Sequence, residues 1–234
     1  MAARIELLAR EYAEKYPELA KSLRDSARLA IRLGVEPFTP VTPELLEAEV
    51  ERQAGRYKGL EFHKHKSLRI SVGRLKDQIM SLVYEQPEVF RGRFDIPVVV
   101  FGQISPKDQA RLAGLNYYLD GLGMSDWEHD PQGYKTPETS YMTWIQDGTV
   151  NLGKSVEDVR KALAEDERGA TIHDGIALYI ANPDVLKDHF IDLPGTRVGS
   201  VSAPVLYLWD GGPGLDCRVG DADSGFGSAS CGRV

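Results

Sequence analysis

Cysteine is scarce in this chain: two residues in 234 are too few for the disulfide framework of a small secreted scaffold, so a reducing cytosol is the expected compartment. Long apolar runs are missing as well. Nothing approaches the roughly 18 consecutive apolar residues that mark a membrane span, so no membrane partner is expected. The opening Met1-Ala2-Ala3-Arg4-Ile5-Glu6 has neither the apolar core nor the small-residue cleavage site of a secretory signal. Positive charge is in deficit: 28 Lys and Arg against 35 Asp and Glu leave −7, which argues against bulk attraction to nucleic acid or anionic lipid. Motifs that would fix a reaction are also missing. There is no Cys-x₂-Cys element for zinc among His63, His65, Cys217 and Cys231. Gly225-Phe226-Gly227 has no helix-length sequence after it to present an N-terminus to a phosphate. No cofactor and no metal is therefore expected.

What remains is a globular composition and a clear change of texture near residue 92. Up to there the pattern is helical. Ile5, Leu8 and Tyr12 recur at helical spacing, and Pro17 opens a second helix that carries Leu19, Leu23 and Ile31. Thr42-Pro43-Glu44 is a start signal, a hydroxyl cap followed by proline at the first helical position. Leu68, Val72, Leu75, Ile79 and Leu82 fall on one face and predict a helix across 68–82. After residue 92 strands enter. Ile96–Phe101 is short, β-branched and apolar, which suits a strand buried on both faces. Ser105-Pro106, Ser155 and Thr171 each begin a helix, and 121–137 reads as a long loop. Asp147-Gly148 between 141–146 and 149–152 predicts a two-residue hairpin. Pro204–Trp209 reads as an interior strand pairing with 215–219 across the 210–214 loop, and 226–231 as a last strand. The expected fold is α+β: a helical N-terminal half, 1–92, then a mixed β-sheet packed against helices, 93–234.

The C-terminal wording is the most distinctive. Thr171-Ile-His-Asp-Gly-Ile-Ala-Leu178, Asn182-Pro-Asp-Val-Leu186, Leu193-Pro-Gly-Thr-Arg197, Pro213-Gly-Leu-Asp-Cys217 and Gly227-Ser-Ala-Ser230 follow one another in order. This resembles an uncharacterised bacterial family, domain of unknown function 5701, over roughly 93–234 and most strongly from 171 onward. The resemblance implies a cytosolic bacterial protein of mixed α and β structure and carries no activity, cofactor or catalytic residue. The chain departs from the family pattern where Cys217 sits between Asp216 and Arg218, and at Cys231, where a small residue is expected.

Three functional readings follow from the residues. The first is a cytosolic binding or interaction protein without catalytic activity, with a protein partner meeting the 121–137 loop or the basic 58–76 segment. The second is a small-molecule hydrolase or thiol-dependent enzyme. In it Cys217 is the nucleophile, lent thiolate character by Arg218, and His173 or His189 is the base, with Asp174 beside His173. The third is a nucleic-acid-associated protein acting through 58–76, where Lys64, His65, Arg69 and Arg74 form the binding set. Against the third, no stacking aromatic accompanies the cations. Asp210, Asp216, Asp221 and Asp223 crowd the tail. Asp210 and Asp216 are kept as binding candidates, although Asp-Gly and Asp-Ser pairs are turn formers in any case.

Overall fold

The structure is a computed structural model that describes residues 41–126, 133–199 and 202–233. The helices expected within 1–40 lie outside these residues. The mixed α and β character is plain in what is described.

Helix α1 (Pro43–Gly59) starts where Thr42 and Pro43 predict, with Thr42 Oγ1 accepting from Leu45 N at 3.3 Å. The next helix, α2 (Val72–Met80), is shorter than its apolar stripe. Ser71 caps it, and Arg69 has a left-handed φ of 46° that breaks any continuation back to Leu68. Strand β1 (Ile96–Phe101) is buried as expected, yet it lies at the edge of its sheet. Helix α1 covers that edge chemically. Gln53 donates to Pro97 O (2.7 Å) and accepts from Val99 N (3.0 Å), while the Tyr57 hydroxyl donates to Val99 O (2.5 Å). Side chains thus take the place of a neighbouring strand and leave no bare edge. One apolar core runs from Leu46 and Val50 through Val98–Phe101 to Cys231. Position 92 therefore does not divide the packing: the 43–90 segment shares its core with the sheets.

The remaining elements are α3 (Pro106–Leu112), β2 (Asn116–Tyr117), β3 (Met124–Asp126), β4 (Ser140–Gln146), α4 (Val156–Ala162), β5 (Glu167–Gly169), α5 (Ile172–Ala181), β6 (Phe190–Asp192), β7 (Thr196–Val198), β8 (Ser202–Trp209), β9 (Gly212–Val219), β10 (Phe226–Ser228) and β11 (Ser230–Gly232). They form two sheets rather than the single one expected. The smaller has the order β1-β4-β11-β5. The larger runs β10-β6-β8-β7-β3, with β9 pairing β8 and β2 pairing β9.

Four local expectations change. Asp147-Gly148 is no hairpin: β4 ends at Gln146, and a 3₁₀ turn (Thr149–Asn151) follows. Asn151 Nδ2 there donates to Ser228 O at 2.9 Å. The β8–β9 connection is tighter than a 210–214 loop, because Trp209 already pairs with Gly212 around Asp210-Gly211. The 226–231 strand is two strands, β10 in the larger sheet and β11 in the smaller, hinged at Ala229. Within the expected 121–137 loop, Met124–Asp126 pairs antiparallel with β7, and 127–132 lies outside the described residues.

Candidate binding surface

The thiol reading meets opposing geometry. Cys217 and Arg218 are neighbours on β9, so their side chains take opposite faces. Cys217 packs against the core, whereas Arg218 turns outward. Burial, then the Asp216 carboxylate, pushes the Cys217 thiol above its ordinary range, the reverse of activation. Cys231 is fully buried, and burial raises its thiol further still. The two cysteines sit in different sheets and are both free. His173 Nε2 lies 3.2 Å from Ile104 O, and His189 Nε2 lies 2.8 Å from Asp147 O.

Asp174 is a hub of structure. It lies fully buried in a capping box with Thr171 and receives Arg168 through both guanidinium nitrogens, at 2.6 and 3.1 Å. Tyr141 Oη donates to it at 2.9 Å. Arg168 in turn stacks on the Tyr134 ring at 4.0 Å. Burial pushes the Asp174 carboxyl upward, but Arg168 and Thr171 outweigh it and hold the group below the usual aspartate range.

Part of the basic segment is paired. Lys64 pairs with Glu61, Lys76 with Glu51, and His65 lies 3.3 Å from Asp108. Arg69 and Arg74 are exposed, Arg69 in a left-handed turn and Arg74 in the first turn of α2. A shallow cleft of about 390 Å³ beside β2 is lined by Lys107, Arg111, Leu115, Tyr117 and Asp120; there Lys107 is paired with Asp120 at 2.6 Å.

The outer face of the larger sheet is different. Register places Asn116 of β2 beside Gly214 of β9, Gly214 opposite Tyr207 of β8, and Gly212 opposite Trp209. Asp192 of β6 lies opposite Val205, and Phe226 of β10 lies beside Phe190. With a two-residue period, Tyr118, Tyr207, Trp209, Phe190 and Phe226 all fall on one face, together with Asp216 and Arg218. Four of the rings touch in a chain: Phe226–Phe190 at 4.8 Å, Phe190–Trp209 at 5.8 Å and Tyr207–Trp209 at 5.2 Å between centroids. Glycine makes this possible. A Cβ on Gly214 would stand 2.5 Å from the Tyr207 ring, so the ring lies flat on bare backbone. On the opposite face Ile191, Leu206 and Leu215 are fully buried in the core. On the outer face, Trp209 is 67% exposed and Tyr118 57%. Two of the expected binding residues border this surface: Asp216 lies on the face itself, and Asp210 is in the turn just beyond Trp209. The aromatic residues themselves were missed; the alternation Tyr207-Leu208-Trp209 was the one local signal of them.

The covered end of this face holds a buried carboxylate. Asp192 has no solvent exposure. Its Oδ1 lies 3.1 Å from Arg218 Nε, but no hydrogen bond is aligned on either oxygen. The Ser228 hydroxyl, on the partner position of β10, is likewise buried without a hydrogen bond. Burial pushes the Asp192 carboxyl up to about 6 against the pull of Arg218. Because the folded value lies above the ordinary 3.8, the native chain holds a proton in that window which the unfolded chain has released. This contribution to stability is present at low pH and is lost as pH rises toward about 6, by on the order of 3 kcal/mol. Urea midpoints of wild type and Asp192→Asn at pH 4.5 and 7.5 check it. The variant is expected to gain relative to wild type at the higher pH; an equal difference at both would refute the assignment.

No family model, curated protein or solved structure matches the chain. Among the described residues no helix is long and apolar enough to cross a membrane.

Proposed function

We propose that this chain is a non-catalytic binding protein that recognises a partner through the aromatic outer face of its larger sheet. The observation that carries this is the exposure of Trp209, 67%, beside Phe190 and Tyr207 in a run of touching rings, with Tyr207 seated over the Gly214 backbone. Large exposed rings in one patch have a hydration cost that a partner relieves, and rigid aromatics lose little entropy on contact. The bacterial cytosolic setting implied by the family resemblance belongs to the same reading. The thiol-enzyme alternative, Cys217 with His173 or His189, draws no support from a thiol whose ionisation is suppressed. The 58–76 segment has its lysines at 64 and 76 already paired.

A photo-crosslinking residue at position 209 tests the reading in the native host, beside a control at exposed Val72. A discrete adduct from 209 alone, which unlabelled wild type competes away and Trp209→Ser does not, is the expected result. Equal, non-competable labelling from both positions would remove the proposal. Because Trp209 is exposed, its serine variant is expected to lose no more than about 1 kcal/mol of unfolding free energy, the worth of its contacts with Phe190 and Tyr207.

A further inference from the structure

Resting on the binding role above, we infer that the occupant of the aromatic face is an extended, lysine- or arginine-bearing segment of a partner protein. Three features of the face converge on that chemistry.

The first is charge. Asp216 projects from the face, Asp210 stands in the turn beyond Trp209, and Asp221 and Asp223 lie in the connection leading to Phe226. Asp210, Asp221 and Asp223 are exposed, and Asp216 is half-buried. Two cations of this face, Arg197 and Arg218, are already committed: Arg197 lies 3.5 Å from Glu157, and Arg218 is held in three ways. It pairs with Asp192, donates to Asp221 O and lies over the Phe226 ring. A phosphate backbone would meet like charge here, whereas a cationic chain meets complementary carboxylates.

The second is the π-surface. The Arg218 guanidinium sits 3.7 Å from the Phe226 centroid, so the molecule already seats one guanidinium on this aromatic layer. The exposed rings of Trp209 and Tyr118 offer the same interaction to a cation from outside, with carboxylates at their margins.

The third is extent. From Tyr118 to Phe226 the face crosses β2, β9, β8, β6 and β10. At about 4.8 Å per strand spacing this is roughly 19 Å, the reach of about six extended residues. A peptide can therefore place a cation near each end and lay apolar side chains or proline across Tyr207 and Phe190 between them. A compact small molecule would leave most of that length uncovered.

The test is selection from a phage-displayed library of random peptides about twelve residues long, counter-selected on Trp209→Ser. The best peptide is then measured by fluorescence anisotropy. The expected outcome is enrichment in Lys and Arg. Binding should fall roughly tenfold or more in Trp209→Ser and several-fold in Asp210→Asn with Asp216→Asn, and weaken further as salt is raised. Enrichment of acidic or uncharged sequences, or none that depends on Trp209, overturns the inference. So does affinity that survives the double asparagine variant. Spermidine, poly(U) and a neutral hexasaccharide are measured in parallel. Saturable, Trp209-dependent binding of any one of them without a selected peptide would assign the face to that class instead. If position 209 crosslinks a discrete partner while no basic peptide is selected, the binding role stands and only the cationic class falls.

Discussion

Replacing Asp174 with alanine is expected to lower folding stability by about 3–5 kcal/mol, the cost of leaving a buried charge without its partner. Arg168 is as deeply buried as Asp174, and the bidentate pair is its main compensation. The same substitution removes the side chain that accepts from Thr171 N at 2.7 Å, so the first turn of α5 loses its reciprocal cap. It also removes the carboxylate that accepts from the Tyr141 hydroxyl. Urea unfolding of the purified variant measures the loss. Arg168→Met is expected to be similarly damaging, and the double variant to cost less than the sum, because removing both charges leaves neither unpaired. Strict additivity would show that the pair is not coupled. Since the Asp174 carboxyl is held below its ordinary range, its contribution is present at neutral pH and is lost on acidification.

The second large effect is expected at Gly195. A Cβ there would lie 2.3 Å from Gly169 O, and one on Gly169 would lie 2.6 Å from Gly195 N. Both obstacles are backbone, so no rotamer change relieves the overlap. The contact holds β5 of the smaller sheet against the turn between β6 and β7 of the larger, and Gly195 N donates across it to Ala170 O at 2.9 Å. Gly195→Ala is expected to cost about 3 kcal/mol, at the upper end for an overpacked site, or to prevent folding outright. Gly211→Ala is the control. A Cβ there meets nothing within 4 Å, and its stability is expected to stay within about 0.5 kcal/mol of wild type. Equal behaviour of the two variants would refute the packing argument.

The sequence was readable where the interaction is local. The caps at Thr42, Ser105, Ser155 and Thr171 are each settled within three residues, and each forms as expected. It was misleading where a distant segment intervenes. Asp147-Gly148 has hairpin chemistry, but the backbone of Gly227 packs directly on Gly148, and Asn151 reaches Ser228; neither contact is visible from residues 141–152. The two-sheet division was hidden in the same way, because nothing local marks Ala229 as the point where one strand becomes two. The binding surface was illegible for a third reason. Phe190, Tyr207 and Phe226 belong to three strands and Tyr118 directly follows a fourth, and only pairing register brings them to one face. Strand alternation alone already speaks against activation of Cys217 by Arg218, because it sends Arg218 to the other side of β9.

The short path from Phe226 to Gly232 also bears on how the chain is made. β11 lies between β4 and β5, and among the described residues β5 has no other strand partner. On the ribosome, β5 therefore emerges about sixty residues before the strand that completes its hydrogen bonding. Until then Ser140–Gln146 shows one open edge, and the smaller sheet is limited to β1 and β4. Such long-range closure is slow and leaves an edge exposed in the meantime. Biosynthesis thus has a vulnerable interval that ends only when residues 230–232 slot into place, and a nascent-chain chaperone would have most to protect during that interval.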